Sequence, residues 1–335
     1  MHCIVPFAGP ASEAGRAALA TMQWPRLSAL LPRLALVDRD EGEPTSYTPP
    51  HERVLAHALR WAPPERGSGP AGTASADGRW PFAAHWARAD GIDPGTAAWG
   101  LVSPVHWHLG TDQVSVADPQ HLRLDEPASR ALFEAVAPLL AGVGMRFVFG
   151  HPTRWYVAHD SLHGLRTASL DRVVGRNVDP WLIDGRARDA REEGGAPALG
   201  HWRRLQAEVQ MLLHSHPLNA QREAEGLLPV NSFWLSGCGR AQAVPAPDAP
   251  PLRVDSSLRA AALAEDWPLW ADAWRRFEES TLLGLELAMH RGADVWLTLA
   301  GERAAVTFAP LRGGIVARLK SLITRPSVPA LLASL

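Results

Sequence analysis

The amino-acid sequence predicts an α/β protein, and three observations lead to that fold class. Apolar runs of strand length recur along the chain, among them Cys3–Phe7, Met145–Phe149 and Pro229–Leu235. Amphipathic helices separate these runs: in Asp125–Leu140 and after His201, apolar residues recur every three or four positions. A Gly-x-Gly follows the strand at 229–235, as in sheets whose strand ends face a ligand. Together these observations indicate a sheet covered by helices.

The composition is that of a large globular protein with no bias toward nucleic acid. The 335 residues are 46% hydrophobic and 20% charged, with a formal net charge of −2, so the basic footprint of a nucleic-acid-binding protein is missing. No apolar stretch reaches the roughly 18 residues of a membrane span, and no secretory signal pattern is present. Cys3 and Cys238 are far apart in sequence, which fits reduced thiols. We expect a cytoplasmic protein that binds neither nucleic acid nor membrane.

The first third of the chain predicts several helices between short strands. Ser12 is a candidate helix cap, Pro49-Pro50 precedes a further helix, and the stretch after Trp61 has the low complexity of a surface loop. In order, we predict a strand at Cys3–Phe7, helices at Ser12–Met22, Leu27–Asp38 (beyond Pro32), Glu52–Trp61 and Phe82–Ala89, a loop at Ala62–Gly78, and strands at Trp99–Val102 and Val114–Val116.

The remaining two thirds predict helices with one apolar face. Pro217 should end the helix that follows His201, because proline carries no N–H and restricts the preceding residue. The tryptophan stripe of Trp267, Trp270 and Trp274 predicts a core-facing helix. In order, we predict a helix at Asp125–Leu140, strands at Met145–Phe149, Arg154–Val157 and Pro229–Leu235, helices at Asp266–Ser280 and Thr281–His290, and a hairpin of Val295–Ala300 with Ala304–Phe308.

A candidate anion site surrounds the strand at 229–235. Arg222 could hold a phosphate or carboxylate bidentately, and glycines let backbone N–H groups approach an anion closely. The alternative is structural: Asn219 caps a helical turn, Asn231 ties down a loop and Arg222 is solvated. The predicted ligand-binding residues here are His216, Asn219, Arg222, Asn231, Gly237 and Gly239.

A second charged segment lies within 167–184. Its charges could pair with one another at the surface, where such pairs stabilise by only about 0–1 kcal/mol. If the arginines instead face a cleft, they form an anion site. The predicted residues are Asp171, Arg172, Arg176 and Asp179.

His106 and His108 form the only pattern with the character of a metal site. In an extended segment these two side chains point to the same face, and Asp112 follows closely. Two imidazoles with a carboxylate can bind a metal ion. The alternative is that both rings make hydrogen bonds in a packed corner.

Motifs distributed over nearly the whole chain resemble one bacterial family. The matching stretches are PHERVLAHAL, PVHWHLGTDQVSV, TASLDRVVGRNVDPWL, RRLQAEVQMLLHSHPLN and LPVNSFWLSGCG. That family is described as predicted cofactor-independent phosphoglycerate mutases and as the regulatory protein of pathogenicity factors, E type. The stretch from His216 to Gly239 is also more distantly similar to the archaeal-type phosphoglycerate mutases of the alkaline-phosphatase superfamily.

The resemblance implies a particular α/β architecture. It implies an alkaline-phosphatase-like sheet core flanked by helices, an inserted smaller α/β unit and a C-terminal helix–hairpin segment. The expected boundaries are 1–105 with 185–310 for the core, 106–184 for the insert and 311–335 for the tail. The resemblance further implies that His216, Asn219, Arg222 and Asn231 help to form a cleft between the two parts.

The chain departs from the mutases where they bind metal. The resemblance implies two divalent metals held by an N-terminal Asp-Gly and by C-terminal Asp and His clusters, with a Ser or Thr nucleophile. Here the first strand reads IVPFAG, and His290 is the only histidine after Gly239. Thr45 or Ser46 could stand in the nucleophile's place, although a hydroxyl without metal activation attacks poorly at neutral pH. We expect no cofactor, with Mn or Zn only if the metal ligands are rearranged.

Three functions remain open on the sequence. The first is a non-catalytic descendant that binds a small anionic metabolite or a protein partner in a regulatory role. The second is an active metal-dependent mutase or phosphatase whose ligands come from His106, His108 and Asp112, with His214 or His216. The third is an assembly module whose 14 tryptophans build an interface. The oligomeric state, the ligand and the regulated pathway are not encoded in any pattern found.

Overall fold

The computed structural model describes residues 1–63, 76–110, 113–182, 196–243, 250–311 and 327–335, without the side chains of 196–199. Within these residues the strands are β1 His2–Val5, β2 Leu34–Glu41, β3 Ala98–Val105, β4 Trp107–Leu109, β5 Val114–Val116, β6 Arg146–His151, β7 Arg154–Ala158, β8 Ser232–Arg240, β9 Leu252–Val254, β10 Trp296–Ala300 and β11 Ala304–Pro310. The helices are α1 Glu13–Thr21, α2 Pro25–Leu30, α3 Pro50–Ala58, α4 Phe82–Ala89, α5 Glu126–Gly142, α6 Leu170–Val173, α7 Ala196–His214, α8 Pro217–Ala224, α9 Arg259–Leu263, α10 Trp267–Phe277, α11 Leu283–His290 and α12 Val328–Ala333.

The chain divides into two compact units at points that differ from the expected boundaries. The first unit comprises Met1–Pro44, Pro49–Trp61 and Val244–Leu335, and the second comprises Thr45–Thr48 and Ala62–Ala243. The second unit extends beyond 106–184 because β3 and β8, which flank that range, pair along their length. A strand belongs with the partners that satisfy its backbone, so both strands fall in the same unit as the segment between them.

The first unit is built on a mixed five-stranded sheet in the order β2-β11-β10-β1-β9. β1 pairs in parallel with β10 and with β9, whereas β10, β11 and β2 pair antiparallel. Its core contains Leu297 and Leu299 of β10 together with Trp270, Trp274 and Phe277 of α10. A sheet covered by amphipathic helices confirms the predicted α/β class, and the C-terminal helices followed by the β10–β11 hairpin are confirmed as well.

The second unit contains a four-stranded antiparallel sheet in the order β6-β7-β3-β8 and a separate β4–β5 hairpin. Leu132 and Val136 of α5 and Trp202, Leu205 and Val209 of α7 form its core with residues of the sheet. These are residues of the predicted helical stripes, because a helix buries the side chains that recur at i, i+3 and i+4.

The prediction of a helix beyond Pro32 in the segment Leu27–Asp38 is wrong. Helix α2 ends at Leu30, a single 3₁₀ turn follows at Leu31–Arg33, and Leu34–Glu41 is strand β2. β2 lies at the edge of its sheet, where Leu36 and Val37 are 54% and 51% exposed. Apolar residues on both faces of an edge strand do not produce the alternation that would have indicated a strand.

The tryptophans lie mainly inside the units. Ten of the 14 are buried, namely Trp24, Trp61, Trp80, Trp99, Trp155, Trp181, Trp202, Trp234, Trp270 and Trp274. In α10 the predicted stripe is confirmed as core, with Trp270 and Trp274 at 0% exposure. Burial of these rings supports packing as their role, because a buried ring is not available to a surface partner.

No described helix is long and apolar enough to cross a membrane. Part of the predicted surface loop, residues 64–75, lies outside the described residues, as does 312–326 of the expected tail.

Candidate anion site

The segment Thr45–Thr48 is held in place by hydrogen bonds on both sides. The backbone N–H groups of Tyr47 and Thr48 donate to the Asp77 carboxylate at 2.9 and 2.7 Å. From the other side, the indole Nε1 of Trp181 donates to the carbonyls of Thr45 and Ser46, each at 3.2 Å. Two independent anchors fix a short loop well, so the Ser46 side chain has a defined position.

Ser46 meets Arg172 in this segment. Nη2 of Arg172 donates to Ser46 Oγ at 2.8 Å, and Ser46 Oγ in turn donates to the Thr48 carbonyl at 3.3 Å. Arg172 is 1% exposed, whereas Ser46 is half-buried and Thr45 is exposed. Ser46 was predicted as a candidate nucleophile, and Arg172 was predicted as part of the charged segment 167–184. The structure brings these two separately predicted residues into contact.

Helix α6 places Arg172 because its N-terminus is capped. The Ser169 hydroxyl accepts from the backbone N–H of Asp171 at 3.3 Å, the geometry of an N-cap. Asp179 is exposed and forms a local turn, in which its N–H donates to Asn177 Oδ1 at 3.2 Å. Among the predicted residues of this segment, Arg172 contacts Ser46.

Chemically, the pair combines a hydroxyl near solvent with a guanidinium beneath it. A hydroxyl can donate to an anion after rotation, and a buried positive charge is weakly screened by salt. An oxyanion at Ser46 would thus gain one hydrogen bond and the attraction of the Arg172 charge.

Asp77 and Trp181 support the loop and were not predicted as site residues. Trp181 carried a weak signal as the neighbour of Asp179, but Asp77 sits at the end of a low-complexity stretch and carried none.

Arg222 lies in a different cluster and binds backbone. It is 3% exposed, its Nε donates to the Leu228 carbonyl at 3.0 Å, and its Nη2 donates to the Leu122 carbonyl. The solvated alternative is therefore wrong, since the guanidinium is buried. Two of its donors join two loops of the second unit, and its role in anion binding stays a prediction.

Asn219 and His216 also have structural partners in this cluster. Asn219 Nδ2 donates to the carbonyls of Leu213 and Val230 at 2.8 and 2.7 Å, and its Oδ1 accepts from Val230 N at 2.8 Å. His216 caps α8, with Nδ1 accepting from the N–H of Leu218 at 3.2 Å. The expected helix-capping role of Asn219 falls to His216, and Asn219 instead joins the end of α7 to the strand region.

The Gly-x-Gly does not lie beyond the end of a parallel strand. Gly237 and Gly239 are inside β8, which pairs antiparallel with β3. The register shifts there, and Gly237 has φ +64°, so the pair forms a β-bulge. A Cβ at Gly237 would lie 2.7 Å from the Ala83 backbone nitrogen, so the glycine permits close packing of α4. The expectation of strand-end glycines is corrected accordingly.

His106 and His108 lie side by side, as predicted. Their ring centroids are 4.4 Å apart, with an interplanar angle of 67°. Burial and the neighbouring His106 lower the pKa of His108 below its usual value. Asp112 lies outside the described residues. Within the part of the chain that is described, no group of three or more His, Cys, Asp or Glu side chains could hold a metal ion.

In the first unit, tightly packed residues follow the carboxyl ends of the parallel strands β1 and β10. A Cβ at Gly9 would lie 2.1 Å from the Leu332 carbonyl oxygen, and one at Gly301 would lie 2.5 Å from Leu335 Cβ. The Leu335 oxygen accepts from the N–H of Arg303 at 3.0 Å. Helix α12 and the residues after it thus occupy this edge. Ala8, Gly9 and Gly301 carry no metal-ligating side chain, and Asp255, which follows the parallel strand β9, accepts hydrogen bonds from Arg253 and Thr281.

A groove of about 870 Å³ also lies in the first unit. Trp24, Arg26, Trp274 and Glu278 are among its lining residues. Burial raises the pKa of Glu278, whose Oε1 accepts from the N–H of Leu27 at 3.0 Å. The described candidate residues belong to the second unit, so this groove is a feature separate from the predicted sites.

Comparison with known proteins identifies several similar solved structures, two of which are compared with this chain. No protein-family model matches the sequence, and no curated protein matches it. A cofactor-independent phosphoglycerate mutase from Thermoplasma acidophilum is 14% identical, with 99% of this chain and 98% of that chain covered and a TM-score of 0.36. The PH0037 protein from Pyrococcus horikoshii is 13% identical, with 95% and 91% covered and a TM-score of 0.45. No activity is transferred from either protein.

Proposed function

We propose that the chain is a phosphoglycerate-mutase-like protein that binds a phosphorylated or carboxylated metabolite without converting it, in a regulatory role. The contact between Ser46 and Arg172 carries this proposal. It places a partly exposed hydroxyl over a buried positive charge, on a loop fixed by Asp77 and Trp181.

The energetics favour an anion over a neutral ligand. A hydrogen bond to a charged group contributes about 1.5–3 kcal/mol, roughly twice the contribution of a neutral one. The Arg172 charge lies next to the Ser46 hydroxyl and is shielded from solvent. Phosphate and carboxylate are the anions for which arginine geometry is suited.

The absence of conversion is supported by the strand ends of the first unit. In an open α/β sheet, ligands meet the carboxyl ends of the strands. Here Gly9 and Gly301 lie against Leu332 and Leu335. Two-metal phosphoryl transfer needs carboxylates and imidazoles that clamp both ions about 3.5–4 Å apart. Gly9 and Gly301 supply neither, and the carboxylate of Asp255, after β9, is bonded to Arg253 and Thr281.

Calorimetry tests the binding site directly. Wild-type protein is titrated with 2-phosphoglycerate, 3-phosphoglycerate and inorganic phosphate. Loss of the hydroxyl in Ser46→Ala should weaken anion binding about tenfold, equivalent to about 1.4 kcal/mol. Ser215→Ala is the matched control, because Ser215 is exposed and its hydroxyl bonds only the Met211 and Leu212 carbonyls in the described contacts. Equal affinities in both variants would place any anion elsewhere.

Two further outcomes separate the alternatives. If millimolar anions produce no heat with wild-type protein, the metabolite version fails and a protein partner is the regulatory ligand. The competing function is an active mutase or phosphatase with rearranged ligands. Phosphoglycerate turnover with added Mn²⁺, absent from a heat-inactivated sample, would establish that alternative, whereas we expect none.

A further inference from the structure

The imidazole rings of His106 and His108 lie close together. The two rings belong to alternate residues at the start of the β4–β5 hairpin, and their centroids are 4.4 Å apart. Two imidazoles bound to one metal in adjacent positions, with metal–nitrogen distances of about 2.0–2.1 Å, have ring centroids about 4.5 Å apart. The observed separation is close to that of two imidazoles bound at a right angle to one ion.

The hydrogen bond of His106 determines which nitrogen is available. His106 Nδ1 lies 2.8 Å from the Pro229 carbonyl oxygen. A carbonyl only accepts, so Nδ1 carries the proton, and Nε2 of the neutral ring carries the lone pair. A ring N–H donated to a backbone carbonyl is the arrangement that orients metal-bound histidines and raises their basicity.

The backbone that carries both rings is fixed by Asn231. Oδ1 of Asn231 accepts from the N–H of Trp107 at 2.7 Å, and its Nδ2 donates to the Trp107 carbonyl at 3.0 Å. Trp107 lies between the two histidines, so both of its backbone groups are held. On the opposite side, Ala117 N donates to the His106 carbonyl at 2.9 Å. Little ordering is then needed when a ligand binds, which favours affinity.

We propose that His106 and His108 together bind a borderline divalent transition metal ion, with Cu²⁺ bound most tightly, then Ni²⁺ or Zn²⁺. Imidazole favours these ions over Mg²⁺ and Ca²⁺, and the order of affinity follows the Irving–Williams series. Within the described residues no third ligand side chain joins the pair. Asn231 is a positioning residue for this site, because its side chain holds the backbone of Trp107 between the two histidines.

Copper titration of untagged full-length protein tests the site. We expect one Cu²⁺ per chain and an electron paramagnetic resonance spectrum with two imidazole nitrogens. His108→Gln should weaken binding at least tenfold and leave one nitrogen in the spectrum. His108 is exposed, so this variant retains the fold, which circular dichroism verifies. His163→Gln is the matched control, because His163 is also exposed, and it should bind Cu²⁺ like the wild type.

Two results would overturn the assignment: unchanged Cu²⁺ affinity in His108→Gln, or a wild-type spectrum with a single nitrogen. A parallel titration with Zn²⁺ should give the same ranking of variants, and millimolar Mg²⁺ should not compete. Phosphate affinity should be equal in His108→Gln and wild type, so failure of the metal site and failure of the anion site are read out separately.

Discussion

At the scale of single residues, the second unit uses buried polar side chains as joints between loops. Arg222 binds the carbonyls of Leu228 and Leu122, and Asn219 binds those of Leu213 and Val230. Buried carbonyls need hydrogen-bond donors, and one side chain with several donors satisfies two at once. Arg222 and Asn219, which follow α7, are therefore required by the fold whether or not they also bind a ligand.

Replacement of Arg222 by alanine should destabilise the protein by about 3 kcal/mol, because two buried carbonyl oxygens lose charge-assisted partners. Urea denaturation followed by circular dichroism measures the change in the free energy of unfolding. Arg204→Ala is the control: Arg204 is exposed on α7, and surface changes of this kind usually fall within about 0.5 kcal/mol. If Arg222→Ala left the free energy of unfolding unchanged, the structural role proposed for Arg222 would be wrong.

His2 should make stability depend on pH. Burial, and secondarily the positive charge of the Met1 amine, lower the pKa of His2 to about 4 from 6.5. Above pH 6.5 the ring is neutral in both states and contributes nothing. As pH falls from 6.5 to 4, the unfolded chain binds a proton that the folded chain resists, so stability decreases by at most roughly 3 kcal/mol.

The check is the free energy of unfolding of wild type and His2→Gln between pH 7 and 4. Glutamine can keep a hydrogen bond to Thr298, whose Oγ1 lies 2.8 Å from His2 Nε2, but it does not titrate. The variant should therefore lose less stability than the wild type over this range. If the free energy of unfolding had the same pH dependence in both proteins, the His2 ring would be protonated as easily in the folded state as in the unfolded chain.

At the scale of elements, the sequence predicted those helices and hairpins that are formed by residues close together in the chain. Helix α4 was predicted with its observed bounds, Phe82–Ala89, and the β10–β11 hairpin was predicted from its two apolar runs around Gly301. The failures at β2 and at the Gly-x-Gly have a common cause. β2 pairs with β11, some 270 residues later, and β8 is antiparallel because its neighbour is β3. Pairing between distant segments leaves no mark in a short window of sequence.

Trp202 anchors α7 in the core of the second unit. It is 2% exposed and belongs to the same cluster as Leu205 and Val209. Trp202→Ala should cost about 3–5 kcal/mol, since it removes a large buried ring and leaves a cavity. Thermal and urea unfolding measure this cost. Trp86→Ala is the control at 36% exposure and should cost much less; similar costs would indicate that ring size, and not burial, sets the effect.

At the scale of the whole molecule, the candidate site depends on contacts that span the sequence. Ser46 and Arg172 are 126 positions apart, and Trp181 reaches Thr45 across 136. Each residue was predicted as a candidate or lay beside one, but the sequence held no information on which of them meet. The extent of the second unit likewise depends on a distant contact, the pairing of β3 with β8.

The unit boundaries can be tested with two fragments. Residues 62–243 contain all four strands of the antiparallel sheet and should show cooperative unfolding and native-like circular dichroism. Residues 106–184 lack β3, which pairs with β7, and β8, which pairs with β3, and should be unfolded. A cooperative transition in the shorter fragment, with none in the longer, would favour the boundaries expected from sequence.

The tight packing at Gly9 has a consequence for any attempt to build a catalyst from this scaffold. Substitution of Gly9 by aspartate would place the new Cβ 2.1 Å from the Leu332 carbonyl oxygen. A single acidic substitution would therefore displace α12 before it could coordinate an ion. Any design that places a carboxylate at position 9 must therefore first move the leucine-rich segment of α12, so backbone remodelling comes before the choice of side chain.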